Sequence, residues 1–159
     1  MEARFFTVSP YAFGDRAIKY TIKPQSEFRT PLACRTAQNY LTSVMAKQLK
    51  EKDYYFDFLV QFYRDQKKTP IEDLSVRWKE ADAPFIKVAT IKIPMQEFDN
   101  EAQQAFGDQL SFNPWRCLAE HTPLGNLNRA RKIVYQTLSN FRHKQNGLPI
   151  VETDNSEIP

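Results

Sequence analysis

Hydrophobic and polar positions alternate with a period of two in the first part of the chain, which is typical of strands. Residues 4–8 (RFFTV) and 16–23 (RAIKYTIK) each predict a strand, and Pro10 and Gly14 between them predict a turn. Pro24 ends the second strand, because proline has no N–H to donate to a sheet ladder. We expect these two strands to form a hairpin.

Two later stretches also predict strands. Residues 54–63 (YYFDFLVQFY) are too aromatic and apolar for a loop and indicate a mostly buried strand. Residues 85–93 (FIKVATIKI) alternate and are stopped by Pro94. The pattern of residues 71–78 is intermediate between strand and turn. We therefore expect about four strands in the chain.

Helical spacing occurs in three stretches. Apolar residues recur at intervals of three and four within residues 36–52 and, most clearly, within residues 126–144, and residues 97–106 fit a short helix. Residues 111–125 contain proline and glycine and predict a loop, and Gly147 lies where the last helix should end. Strands come first and the longest helix comes last, so the predicted fold class is α+β rather than alternating βαβ.

The composition fits one folded domain and excludes several classes of protein. The chain has 159 residues, of which 42% are hydrophobic and 13% aromatic, and this argues against disorder over most of its length. We assign residues 1–149 to the domain and residues 150–159 to a flexible acidic tail. No apolar run approaches the ~20 residues of a membrane span and no leader is visible, so a cytoplasmic location is the default prediction. Cys34 and Cys117 form neither a disulfide framework nor a metal-binding pair, and a net charge of +3 does not imply nucleic acid.

The predicted helix at residues 126–144 carries the clearest candidate chemistry. Arg131 and Tyr135 are four residues apart and therefore lie on one face of the helix. A phenol ionises near pH ~10 and is a poor anionic ligand at neutral pH, but a neighbouring guanidinium stabilises the phenolate. Tyrosinate is one of the known protein ligands of haem iron. Arg142 follows about two turns later on the same face, where it would suit a haem propionate.

Several motifs, in the same order, resemble the catalase superfamily. The triplet at residues 112–114 (FNP) resembles the family's F-D/N-P signature, and Arg131 and Tyr135 resemble its R-x-x-x-Y ligand motif. Residues 112–147 are most similar to the proximal haem segment of short bacterial catalase-like haem proteins, which are related to coral allene oxide synthase. The strand-forming stretches upstream resemble strands of the same proteins, so the likeness extends over nearly all of residues 1–149.

The resemblance implies a role for each matched residue. Tyr135 would be the axial ligand of the iron of haem b, and Arg131 would hydrogen-bond to its phenolate. Arg142 would meet a propionate, while Phe112 and Pro114 would lie against the proximal pocket. The implied fold is about four strands of the family's antiparallel β-barrel, with the long proximal helix near the C-terminus. The family chemistry is the breakdown of hydrogen peroxide or an organic (lipid) hydroperoxide at tyrosinate-ligated haem.

The distal side of such a site is not matched. The family's distal histidine lies upstream of the point that Met1 matches, and the two histidines of the chain, His121 and His143, both flank the proximal motif. We therefore assign no catalytic residue, and we expect His121 to be structural and His143 to be a surface or propionate-side residue. A partial barrel leaves sheet edges and apolar faces exposed. Such a chain would need to self-associate or to find a missing N-terminal half as a partner, or it would be poorly stable.

The sequence also suggests three other interpretations. The main alternative is a haem-free remnant or interaction module that keeps the fold without catalysis. A nucleic-acid binder that uses residues 54–56 as a stacking surface has no supporting motif. Cys117 as a thiolate ligand of haem lies in a loop and lacks a basic helix N-terminus.

Overall fold

The computed structural model describes residues 3–26 and 38–149. Its helices and strands, in chain order, are β1 (Phe5–Phe6), β2 (Tyr11–Phe13), β3 (Arg16–Pro24), α1 (Tyr40–Glu51), β4 (Tyr54–Phe62), β5 (Ile86–Ile93), α2 (Glu101–Gln109) and α3 (Asn126–Asn146). A short 3₁₀ turn, Ala119–His121, precedes α3. Cys34, the first two positions of the helix predicted at 36–52, and the tail predicted at 150–159 lie outside the described residues.

The described strands form a five-stranded sheet with the order β1-β3-β4-β5, and β2 also pairs with β3. The pairs β1–β3, β2–β3 and β4–β5 are antiparallel. The strands predicted at 16–23, 54–63 and 85–93 are confirmed, whereas the one predicted at 4–8 is only two residues long. The intermediate stretch at 71–78 contains turns and no strand.

Periodicity alone did not predict strand β2, because three residues between a proline and a glycine give no alternation to detect, although the resemblance of residues 10–24 to a barrel hairpin implied it. Tyr11 pairs with Ile18 and Phe13 with Arg16, so that β2 and β3 form a tight hairpin. The turn at its tip needs a positive φ, which Gly14 supplies at 63°. The predicted hairpin partner of β3, the β1 segment, also pairs with it, through Phe5 opposite Ile22.

The helices confirm the predicted order of elements. α1 begins at Tyr40 and α2 at Glu101, which is four residues later than predicted. α3 covers the predicted residues 126–144 and ends where Gly147 adopts a left-handed φ of 64°. With an antiparallel sheet and separate helices, the fold class is α+β, as the order of strands and helices indicated.

The described residues divide into two compact units. The first comprises residues 3–7, 20–26, 38–60 and 85–100, and the second comprises residues 8–19, 61–84 and 101–149. β3 and β4 each contribute residues to both units. The assignment of residues 1–149 to one domain stays a prediction.

The core of the first unit is built from α1 and the β4–β5 ladder. Leu49, Tyr54 and Phe56 are buried together, and four partly buried apolar residues pack against them: Ile22, Ile91, Ile93 and Phe98. Ion pairs join the two strands at their exposed side, between Lys87 and Asp57 at 2.6 Å and between Lys92 and Asp53 at 2.7 Å. The first unit therefore has an apolar core of its own, while the candidate residues lie in the second.

Candidate functional site

The N-terminus of α3 is fixed by a carboxylate from another segment of the second unit. A carboxylate oxygen of Glu72 accepts the backbone N–H of Asn126 at 2.7 Å, and both oxygens bind the guanidinium of Arg129, at 3.1 and 3.0 Å. The hydrogen bond from Arg129 is the main reason that the pKa of Glu72 is lowered. A negative charge at this end complements the helix dipole, so Glu72 sets where α3 starts.

Gly125, just before α3, has no room for a side chain. Its φ is 86°, and an added Cβ would lie 2.7 Å from the carbonyl oxygen of Ile71. The close approach of these two segments therefore depends on glycine at this position.

Further along α3, the predicted contact between Arg131 and Tyr135 is present. Arg131 Nη2 donates a hydrogen bond of 2.9 Å to Tyr135 Oη. The guanidinium carbon lies 5.0 Å from the centre of the Tyr135 ring. Both side chains are half-buried, so the phenol oxygen has a cationic donor in a partly shielded place.

The other end of the Arg131 guanidinium meets residues that the sequence analysis missed. Nη1 lies 3.4 Å from Ser9 Oγ, 3.4 Å from Tyr11 Oη and 3.3 Å from Asn128 Oδ1. Burial opposes the charge of Arg131, but hydrogen bonds and Coulombic attraction involving Tyr135 and Tyr11 outweigh it, and the pKa of Arg131 is raised. The guanidinium thus stays cationic beside two phenols.

Asn128 is the one member of this cluster whose position could have been recognised from sequence. It lies three residues before Arg131 and seven before Tyr135, so all three share a face of α3. Ser9 and Tyr11 carried no such signal, because they lie about 120 residues away in the chain. Only the fold brings them to the helix.

The FNP loop also reaches α3, through a residue outside the triplet. Phe112 is 75% exposed and Pro114 is half-buried. Asn113 Oδ1 accepts the backbone N–H of Trp115 at 3.0 Å, and the Trp115 indole N–H binds the carbonyl oxygen of Asn128 at 2.8 Å. The loop is therefore attached beside the Arg131 cluster by Trp115, while Phe112 presents an open apolar ring.

Arg142 lies on α3 as expected, and its guanidinium binds backbone carbonyls. It donates to the oxygen of Asp108 at 2.6 Å and to the oxygen of Leu110. These oxygens belong to the C-terminal end of α2, where helix carbonyls lack partners and a cation is favourable. A guanidinium carries further N–H groups, so its predicted contact with a propionate stays a prediction.

The two histidines occupy structural positions. His143 is fully buried, which corrects the surface position expected for it. Its Nδ1 lies 2.8 Å from the carbonyl oxygen of Ser139 and its Nε2 lies 2.9 Å from that of Gln109. The ring of His121 packs 5.7 Å from the ring of Phe13. The ring nitrogens of His143 therefore lie against backbone carbonyls, whereas His121 is exposed.

A stripe of exposed apolar side chains runs along α3 next to Tyr135, and we call it the α3 stripe. Ile133, Leu138 and Phe141 are 71%, 61% and 60% exposed, and Val134 is exposed as well. So large an exposed apolar surface marks a place for a ligand or a partner.

The usual metal-ligating side chains do not gather in the described part of the chain. Within residues 3–26 and 38–149, no three His, Cys, Asp or Glu side chains come together to hold a metal ion. Cys117 is an exposed free thiol in the loop between α2 and α3. The Tyr135 oxygen accepts a hydrogen bond from Arg131 and is the candidate ligand atom.

Comparisons with solved structures show which known proteins share the fold of this chain. A fungal catalase matches 91% of the chain with a TM-score of 0.70 at 13% identity. Catalase A from Saccharomyces cerevisiae matches 94% of the chain with a TM-score of 0.66, also at 13% identity. The chain has a catalase-like fold. No protein-family model and no curated protein sequence matches it.

The catalase-like chain spans about a third of the length of these catalases, 32% of one and 34% of the other. At this level of identity the likeness establishes the fold alone. In the part of the chain that the structure describes, no helix combines the length and the apolar character needed to cross a membrane.

Proposed function

We propose that the chain is the proximal, haem-binding part of a catalase-like haem protein. One observation carries the proposal: within a catalase-like fold, Arg131 donates a hydrogen bond of 2.9 Å to the phenol oxygen of Tyr135 on α3. In the proposed site Tyr135 would ligate the iron of haem b through its oxygen, and Arg131 would hydrogen-bond to that oxygen. Kinship with short bacterial catalase-like proteins and coral allene oxide synthase is part of the same proposal.

The residues around Tyr135 fit such a group on its proximal side. The α3 stripe offers apolar surface next to the phenol, as a largely apolar macrocycle requires, and Phe112 adds an exposed ring. Arg142 lies two turns beyond Tyr135 and retains donors for a propionate. Bound haem would supply the iron centre at which peroxides are broken down. The chain's own contribution would be to offer the tyrosine oxygen and to hold the Arg131 guanidinium against it.

Breaking down a peroxide also needs a group that moves a proton on it, and acid–base catalysis requires that side chain within hydrogen-bond reach of the reacting oxygen. Among the described residues, the ring nitrogens of His143 lie against backbone carbonyls, and His121 lies in the 3₁₀ turn before α3. We therefore assign no catalytic residue to this chain. A distal group would come from a missing N-terminal half or from a second copy. The proposed substrate of the assembled protein is hydrogen peroxide or a lipid hydroperoxide, and the proposed location is the cytoplasm.

The test is a titration of the purified chain with haemin, followed by ultraviolet and visible absorption. We expect a saturable one-to-one Soret band together with the charge-transfer feature of ferric phenolate haem. Tyr135→Phe should abolish this signal, because phenylalanine has no oxygen to offer the iron. Tyr55→Phe is the matched control: it removes a partly exposed phenol on β4, which contacts Asp53, and should leave the signal unchanged.

Two outcomes would overturn the proposal. An unchanged spectrum in Tyr135→Phe would mean that the ligand is another residue. The absence of a saturable band in the unaltered chain would instead support the alternative, a haem-free remnant or interaction module.

A further inference from the structure

Asn128 is a fully buried amide whose orientation is determined by its surroundings. Its Nδ2 donates to the carbonyl oxygens of Pro10, at 2.9 Å, and Leu124, at 2.8 Å. A carbonyl oxygen can only accept, so the NH₂ group must face these two atoms. The amide oxygen is thereby turned to the opposite side, where it accepts the Ser9 hydroxyl at 2.8 Å.

The same amide oxygen is one of three acceptors around a single end of Arg131. Nη1 is 3.3 Å from Asn128 Oδ1 and 3.4 Å from the oxygens of Ser9 and Tyr11. These distances exceed the ~2.9 Å of a strong N–H···O bond, whereas Nη2 makes its bond to Tyr135 at 2.9 Å. Nη1 is thus held by long contacts to Ser9, Tyr11 and Asn128, which we call the cradle, while Nη2 makes a close hydrogen bond to Tyr135.

The acceptors in this cradle share a chemical property that bears on Tyr135. None of them is a carboxylate: two are oxygens of a hydroxyl and a phenol group, and one is the oxygen of an amide. A carboxylate at the same place would form a charge-assisted bond, about twice as strong, and would neutralise the cation. An amide oxygen can orient the guanidinium by accepting a hydrogen bond, but it does not neutralise the positive charge.

We infer that Asn128 is a positioning residue, which with Ser9 aims Arg131 at Tyr135 and leaves its positive charge available to the phenol oxygen. This inference rests on the proposed function for its purpose, since a ligand oxygen is what the charge would stabilise. The geometry of the cradle exists without haem, so it is tested on the haem-free chain first.

The first measurement is side-chain NMR of ¹⁵N-arginine in the haem-free chain, with the Arg131 signals assigned from Arg131→Lys. In the unaltered chain we expect resolved Nη2 protons with nuclear Overhauser contacts to the Tyr135 ring. In Asn128→Asp the carboxylate should draw the guanidinium away, and these contacts should disappear. Asn140→Asp makes the same chemical change on an exposed turn of α3, where Asn140 pairs with Gln136, and should leave the signals as they are.

Asn128→Asp also removes two buried donors and so endangers the fold. Ser9→Ala keeps both of those donors and takes away only the hydroxyl, so it tests the cradle in a folded chain. We expect the Nη2 contacts of Arg131 to weaken in this variant. If Ser9→Ala leaves the Arg131 signals unchanged, or if folded Asn128→Asp does so, Asn128 serves only to join Pro10 and Leu124 to α3, and the inference is wrong.

The haemin titration then separates this inference from the proposed function. If the unaltered chain binds haemin, Asn128→Asp should lower the affinity about tenfold or more, in line with the loss of a hydrogen bond from a charged donor. If the unaltered chain binds no haemin, the proposed function fails while the NMR result still decides the role of Asn128. Unaltered affinity in a folded Asn128→Asp would contradict the inference even where haem binds.

Discussion

At the scale of single residues, Arg131 decides what the candidate site can do. Its spacing from Tyr135 was predicted from the chain, and the hydrogen bond between them is present at 2.9 Å. The three acceptors at its other end, Ser9, Tyr11 and Asn128, include no carboxylate that would neutralise its charge. A cation in this position is what an anionic tyrosine ligand requires.

Arg131→Ala should therefore weaken haemin binding without removing the ligand atom. A hydrogen bond to a charged group contributes about 1.5–3 kcal/mol, which corresponds to a loss of about ten- to a hundred-fold in affinity. The measurement is the dissociation constant from the Soret titration, with Arg129→Ala as control, because Arg129 lies on the same helix but pairs with Glu72. Equal losses in the two variants would show that Arg131 acts only through the overall charge.

Gly125 is a second residue whose role is decided by local geometry. Gly125→Ala should lower the free energy of unfolding by about 1–3 kcal/mol for its backbone alone, and by more because the new Cβ meets the Ile71 carbonyl at 2.7 Å. Gly14 also has a positive φ, but an added Cβ would meet no atom within 4 Å. Gly14→Ala should therefore lower the free energy of unfolding only through the strain of its backbone. Gly107→Ala, inside α2, should stabilise the chain by up to ~1 kcal/mol. Urea unfolding of the three variants tests this order, and a Gly125→Ala chain as stable as Gly107→Ala would contradict it.

At the scale of elements, the sequence predicted the strands and helices that have a regular apolar pattern. It did not predict features that are set by contacts between residues far apart in the chain. β3, β4 and α3 were found because their apolar positions recur regularly over eight residues or more. The start of α2 was misplaced, because the segment before it is held instead by contacts of Gln96 and Glu97 with α1, the latter an ion pair with Lys50. In the site, Arg131 and Tyr135 follow from helix geometry, whereas Ser9 and Tyr11 come from a strand region that no local pattern connects to α3.

The N-terminus of α3 provides a test that depends on pH. Arg129 lowers the pKa of Glu72 in the folded chain below its value in the unfolded chain, which is near 4.5. The ionised carboxylate therefore stabilises the fold fully at pH values above 4.5. This stabilisation is lost as the pH falls through the pKa of Glu72 in the folded chain. Glu72→Gln should therefore unfold at lower temperature than the unaltered chain at pH 7, and the difference should shrink towards pH 3. Glu120→Gln, which removes a charge from an exposed position, should not reproduce this pattern. A difference that is constant from pH 7 to pH 3 would show that the charge of Glu72 is not what matters.

At the scale of the whole molecule, the chain has a catalase-like fold and spans about a third of the length of the catalases that it matches. Its candidate residues on α3 are held by hydrogen bonds within the second unit, and the ring nitrogens of His143 lie against backbone carbonyls. The α3 stripe is exposed in this structure, and exposed apolar stripes of this kind are covered in functional proteins by a ligand or a partner. The proposed occupant of the surface next to Tyr135 is haem, with a second copy or an N-terminal half completing the site.

Self-association through the α3 stripe is accordingly the expected behaviour of the isolated chain without haem. Sedimentation velocity over a range of concentrations should show a mass that rises above 18.6 kDa, since Leu138 and Phe141 gain by leaving water. Leu138→Gln should shift the distribution towards the monomer, whereas Gln136→Ala, at an exposed polar position on the face of the helix away from Leu138 and Phe141, should not. Haemin bound next to Tyr135 should also favour the monomer, because it covers the same apolar surface. A chain that stays monomeric at every concentration would contradict self-association, and mixing it with an N-terminal catalase-like half would then test the remaining partner.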